Sequence, residues 1–217
     1  MKHSRLDVLI LKPTTSFLSL LTALRSDVSL PDLLQLQTDT TAYTIRKQPN
    51  EEAMLAAIEQ NYQRIFKHEI GRWLGSKCSN DIEISFLDFL CSFKFEFHSQ
   101  ILLMEPSVEQ GHQVLCIKPR SVLVKWMESS VEDKDQEVSI LERLNLSRLV
   151  DDATVVIRNF DRLSEVKTFL KHHYRPLFKV ELSRMCERVE QWPDVDTIDV
   201  FNHYFSVEPH TQLIHLR

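Results

Sequence analysis

Glycine is scarce: the 217 residues hold only Gly71, Gly75 and Gly111. Phosphate-cradling turns and nucleophile elbows use glycine where backbone must approach a ligand or take a positive φ, so the dinucleotide, P-loop and GxSxG chemistries are excluded. Cysteine is also sparse. Cys78, Cys91, Cys116 and Cys186 form no CxxC pair, and three of them lie in apolar runs, where a thiol packs as a small hydrophobe. That pattern suits a reducing compartment. The apolar run of "MKHSRLDVLILKP" spans only about five residues before Lys12 and Pro13, too short for a signal-peptide core. No stretch reaches the roughly 20 apolar residues that cross a bilayer. A cytoplasmic protein without membrane insertion is expected.

What remains is an ordinary globular composition, 43% hydrophobic and 26% charged, with a formal charge of −5. A chain of this length can form one large domain or two small ones. No repeat, low-complexity segment or linker is evident, and one α+β domain over 1–217 is the preferred reading.

Leu6 to Leu11 form a continuous apolar run, a short buried strand ended by Pro13. Phe17, Leu20, Leu21 and Leu24 follow at helical spacing, and Pro31 opens a helical turn. The β-branched "TDTTAYTIRK" predicts a strand. A long helix is predicted after Asn50, an N-cap followed by Glu51 and Glu52 at the positive helix end, with Gly75 as its stop. "DIEISFLDFLC" is read as a helix, and "FKFEFHSQILL" as a strand with Phe93, Phe95 and Phe97 inward and a solvated Lys94, Glu96 and His98 face. Ile101 to Met104 are expected to be buried on both sides, and "VLCIKPRSVLVKWM" to add strands with Val122, Val124 and Trp126 on one face. The sheet is thus expected as a small antiparallel hairpin or meander over about 93–127, packed by several helices. Helices are further predicted from "VEDKDQE" to Leu149, around Leu163 to Leu170, and on to Trp192, either continuous through Pro176 or restarted there. "ATVVIRNF" and "TQLIHL" read as strands, and "DVDTIDVFNHYF" as a short helix.

Three constellations bear on chemistry. His98, His112 and Cys116 can meet across a hairpin as three metal ligands, although a solvated histidine pair is the preferred reading. Asp194, Asp196 and Asp199 can serve a metal-dependent enzyme, yet carboxylates at a helix start are stabilised by the helix dipole without any ion. "RNFDR" gives Arg158 and Arg162 the RxxxR spacing of PilZ cyclic-dinucleotide receptors, but the glycine-ended motif that accompanies it is missing, since no glycine follows Gly111.

Charge is distributed unevenly. Residues 158–188 hold eight Lys or Arg against four Asp or Glu. Arg158, Arg162, Lys171, Arg175 and Lys179 are the predicted partner-binding residues, and Lys171, Arg175 and Lys179 share a face if the helix runs through Pro176. Nucleic-acid binding by these basic helices is the alternative, against which stands a pI near 6.0. A protein partner with acidic segments fits better. No catalytic residue, cofactor or metal is assigned.

With its glycine-poor, mildly acidic α+β character and the segments "FKFEFHSQILL" and "LKHHYRPLFKVELSRMCERVEQW", the chain resembles accessory or adaptor subunits of the bacterial type IVB (Dot/Icm) secretion coupling complex. The resemblance implies a non-enzymatic protein that binds other subunits or secreted substrates at the cytoplasmic side of a membrane-bound apparatus, and it assigns no site residue.

Overall fold

The computed structural model describes residues 5–24, 30–75, 82–104, 111–129, 150–186 and 188–216. The chain is α+β, with seven helices and two four-stranded sheets among the described residues. It divides into two compact units, one of residues 1–97 with 211–217 and the other of residues 98–210.

The first unit begins with β1 (Leu6–Pro13) and α1 (Thr15–Leu24), followed by α2 (Leu33–Thr38) and β2 (Ala42–Arg46). The long α3 (Glu51–Leu74) starts where Asn50 accepts a bond from the Ala53 amide at 2.8 Å, and it ends at Gly75, whose φ of 84° few other residues adopt. Then come α4 (Phe86–Ser92), capped by Ser85, and β3 (Phe93–His98). The sheet order is β3-β1-β2-β8, where β8 is Leu213–His215. β1 and β2 are antiparallel, and β8 lies parallel to β2. Phe17, Phe66, Phe89 and Phe93 fill the core beneath this sheet.

The second unit contains β4 (Ile101–Leu103), β5 (Gln113–Pro119), α5 (Ser121–Ser129), β6 (Val155–Arg158), α6 (Leu163–Met185), a 3-10 turn at Val189–Gln191, α7 (Ile198–Tyr204) and β7 (Phe205–His210). Its sheet order is β4-β6-β5-β7, antiparallel except for β4 against β6. Leu115, Ile117, Val156, Leu177, Phe178, Leu182, Phe201 and Phe205 form its core.

The two units follow one plan. In chain order β1, α1, β2, α3, α4 and β3 correspond to β5, α5, β6, α6, α7 and β7; among the described residues the first unit also has α2. Each sheet then takes its fourth strand from the chain that leaves the other: β4 follows β3 but pairs with β6, and β8 follows β7 but pairs with β2. The correspondence extends to single bonds. Ala42 N–H donates to Gln212 O at 3.0 Å and Val155 N–H to Gln100 O at 2.9 Å; Thr14 N–H donates to Ser92 O at 3.0 Å and Arg120 N–H to Tyr204 O at 2.8 Å. Lys12 pairs with Glu96, and Lys118 with Glu208. Hence the sequence, which shows no evident repeat, carries one in structure: "FHSQIL" and "PHTQLI" lie 112 positions apart, from residue 97 and residue 209.

Four expectations need correction. The segment 93–127 is no hairpin or meander, because β3 sits beside β1, β4 beside β6, and β5 between β6 and β7. Residues 121–129 are helical, with Leu123 and Met127 buried four residues apart, the spacing that outweighed the alternation of Val122, Val124 and Trp126. Leu103 and Met104 are exposed, since β4 is an edge strand. The Lys94, Glu96 and His98 face is solvated only at Lys94: Glu96 is drawn onto Lys12 at 3.1 Å, and His98 is fully buried with Nδ1 2.9 Å from Ala153 O. The helix expected from "VEDKDQE" to Leu149 falls outside the described residues, apart from its flank at Val150.

Phe93 is 2% exposed, with its ring 4.7 Å from Phe17 and 5.4 Å from Phe89, whereas Phe95 is half-buried. Phe93→Ala is therefore expected to lower the unfolding free energy by about 3–5 kcal/mol, with Phe95→Ala costing less and Lys94→Ala under about 0.5 kcal/mol. Urea denaturation of the three variants measures this, and equal losses at Phe93 and Lys94 would contradict the strand orientation.

Candidate functional site

Helix α6 runs unbroken through Pro176, so Lys171, Arg175 and Lys179 occupy one exposed face, one turn apart. The opposite face carries Val166, Phe169, Leu170, Leu177, Phe178 and Leu182 into the core. The helix ends at Met185, earlier than the apolar spacing of Val189 and Trp192 predicts. Cys186 instead turns the chain out of the helix, and its carbonyl accepts the Trp192 indole N–H at 3.1 Å. Val189 is left 62% exposed. A cleft of about 220 Å³ opens between α6 and this returning segment, lined by Arg175, Phe178, Lys179, Val189, Trp192, Pro193, Asp194 and Val195. It has an apolar floor and a charged rim.

Of the five predicted partner-binding residues, Arg175 and Lys179 line this cleft, and Lys171 extends its basic rim by one turn. The other two lie at the far end of α6. Arg158 lays its guanidinium over the rings of Phe160 and Phe169, at 5.5 and 5.2 Å, and Arg162 is exposed at the helix start without a side-chain cap bond. RNFDR is therefore split between a packing arginine and a surface one.

Asp194, Asp196 and Asp199 do not converge. Asp194 lines the cleft, Asp199 lies in the first turn of α7, and Asp196 accepts through its backbone carbonyl from the Tyr174 hydroxyl at 2.6 Å and the Arg175 guanidinium at 3.2 Å. Among the described residues, no group of three or more His, Cys, Asp or Glu is placed to hold a metal ion. His98 and Cys116 do come together, with Nε2 3.6 Å from Sγ, but His98 and His112 are both buried, not the solvated pair the sequence suggested. A strand pattern shows which way His98 points; it does not show that Ala153 supplies a carbonyl there.

The repeated architecture provides an internal control. Tyr62 and Gln63 on α3 donate to Ile84 O at 3.3 and 2.8 Å, as Tyr174 and Arg175 on α6 do to Asp196 O. Arg175 therefore makes a contact that the fold uses in both units. Lys171 corresponds to Glu59, while Lys179 corresponds to Lys67. The positive charge at Lys171 is thus particular to the second unit.

A second polar cluster, not singled out in the sequence, lies on α3. Glu69 is buried, and its Oε1 accepts from the Tyr43 hydroxyl at 2.5 Å, with His68 Nδ1 3.0 Å from that hydroxyl and Arg72 3.5 Å from Glu69 Oε2. Burial alone would raise the Glu69 pKa, but the hydrogen bond from His68, the Arg72 charge and bonds from Tyr43 and Thr41 outweigh it, leaving the carboxyl below its ordinary value of 4.5. Burial, and then the neighbouring Glu69 charge, hold the Tyr43 phenol well above its ordinary range. The second unit repeats the core of this arrangement: buried Glu181 accepts from the Thr154 amide at 2.6 Å and from Arg184 at 2.9 Å. The paired sequences "EIGR" and "ELSR" are the signal that reveals both. Among the described residues, no helix is long and apolar enough to cross a membrane. No protein-family model, curated protein or solved structure matches the chain.

Removing one partner of a buried ion pair strands the other, so Glu69→Gln is expected to cost about 3–5 kcal/mol at neutral pH. A carboxyl whose folded pKa is depressed stabilises fully above its unfolded value and loses that contribution as pH falls through the folded one. The gap between wild type and Glu69→Gln should accordingly narrow below pH 4.5, as measured by urea midpoints across an acid series. A constant gap would mean that Glu69 acts by shape alone.

Proposed function

We propose that this protein is a non-enzymatic interaction subunit that receives an acidic segment of a protein partner on the outer face of α6. The observation that carries this reading is the cleft beside Lys171, Arg175 and Lys179, in which exposed Val189 and half-buried Trp192 offer apolar anchorage next to cations. An apolar pocket supplies affinity, while rim charges set association rate and salt sensitivity. The internal control supports the assignment, because the first unit has Glu59 where the second has Lys171. A place at the cytoplasmic side of a secretion coupling complex, as the Dot/Icm resemblance implies, belongs to the same proposal.

Nucleic acid is the competing ligand for a basic helix face. The two separate by salt dependence and by chemistry, since phosphate binding must weaken steeply with salt and needs no apolar anchor. Arg175 is a poor target for mutation because it holds Asp196, whereas Lys171 and Lys179 are exposed.

Lys171→Glu with Lys179→Glu is expected to weaken partner capture at least tenfold in pull-downs from the native cell, and to shift the thermal midpoint by no more than about 2 °C. Trp192→Ala should weaken capture as well. Unchanged recovery by the folded double variant would remove the docking reading, and salt-sensitive binding of labelled RNA or DNA, lost on Lys171→Glu but kept on Trp192→Ala, would replace it with nucleic-acid binding.

A further inference from the structure

Each unit completes its sheet with a strand that the chain delivers from the other unit. β4 leaves β3 and lies parallel to β6 with Ile101 opposite Val155; β8 leaves β7 and lies parallel to β2 with Leu213 opposite Ala42. Both donor segments begin with a fully buried histidine, His98 or His210, at the end of the preceding strand. Both then present a glutamine carbonyl to the acceptor strand, Gln100 O to Val155 N–H and Gln212 O to Ala42 N–H. Both close the ladder by donating back, Met104 N–H to Ile157 O at 3.2 Å and Leu216 N–H to Thr44 O at 2.9 Å.

Topology alone does not require the side chains that recur around these strands. A lysine on the first strand of each sheet pairs with a glutamate on the third, Lys12 with Glu96 and Lys118 with Glu208. A tyrosine on each long helix reaches a carbonyl ahead of the short helix, at Ile84 or Asp196. Each long helix also buries a Glu-x-x-Arg pair, Glu69 with Arg72 and Glu181 with Arg184. We propose that the chain is a tandem fusion of two copies of one strand-donating unit, and that the outer edge of the second strand, β2 or β6, is a recognition site for a donor segment of the form His-(Ser/Thr)-Gln-aliphatic-aliphatic. The occupant is a segment of this chain. The register is set by the backbone bonds at each edge, and the second aliphatic residue of each donor, Leu102 or Ile214, packs on its unit's core, so the two edges accept the same kind of strand and either donor fits either one.

The test exchanges the donors within the full chain. One variant carries Ser99→Thr, Ile101→Leu, Leu102→Ile, Leu103→His and Met104→Leu together with Thr211→Ser, Leu213→Ile, Ile214→Leu, His215→Leu and Leu216→Met. A control variant carries the residues of 99–104 and of 211–216 in reversed order, so composition is unchanged. The exchanged variant is expected to lose less than about 5 °C in Tm, the small loss coming from the Thr44 hydroxyl that now meets His215 Nδ1 at 2.6 Å, and to keep the Ala42 and Val155 amides protected from hydrogen exchange. The reversed variant should lose more than twice as much, together with that protection. An exchanged variant that loses half or more of what the reversed one loses overturns the proposal. So does a reversed variant as stable as wild type, because the edges would then not read the donor sequence.

Discussion

A carboxylate taken out of water must be met by donors, and leaving it unmet costs several kcal/mol. Glu69 and Glu181 are such groups, one on each long helix, and each can be satisfied in only one orientation: Glu69 toward Tyr43 of β2 and Arg72, Glu181 toward the Thr154 amide just before β6 and Arg184. That requirement fixes how each helix is rotated about its own axis. With the carboxylate side held against the sheet, the stripe of Ile65, Phe66 and Ile70, or of Leu177, Phe178 and Leu182, has to enter the core. Lys171 and Lys179 are consequently turned away from the sheet. The outer surface of α6 follows from the chemistry of its inner one.

Duplication also separates what the fold needs from what it merely carries. A feature present at both of two equivalent positions is explained by architecture, which accounts for the buried histidines, the Lys–Glu pairs across each sheet and the arginine or glutamine that reaches the carbonyl ahead of the short helix. Features present once have no such explanation. Tyr43 and His68 correspond to Val156 and Val180, so the polar cluster around Glu69 is more elaborate than the fold requires.

Much of the chain could be read locally. Helix α3 was legible at both ends because its signals are adjacent residues, the Asn50 cap and the left-handed Gly75, and the basic face of α6 was legible because its charges recur every four residues. Partners distant in sequence were not. Alternation shows that β3 is a strand but cannot say that Lys12 will neutralise Glu96 or that Ala153 will receive His98, and so a half-buried face reads as wet. The cleft was hidden for a related reason: Cys186 rather than glycine ends α6, so the apolar spacing continues into Val189 and Trp192 after the helix has stopped. The repeat is hard to see in the sequence because it is preserved in hydrogen bonds and registers more than in residue identity.

Strand exchange also sets a timetable for synthesis. Thr44 and His215, bonded across β2 and β8, are 171 residues apart. At roughly 5–20 residues per second, β2 leaves the ribosome about 9–34 seconds before its parallel neighbour exists. During that interval the first sheet offers an open edge, and the closing contact carries the high loop entropy that slows non-local pairing. The second unit waits far less, since β4 is made before β6. Although first in sequence, the N-terminal unit is thus the last to be completed, and its exposed β2 edge during synthesis is where a nascent chain of this kind is most open to pairing with the wrong strand.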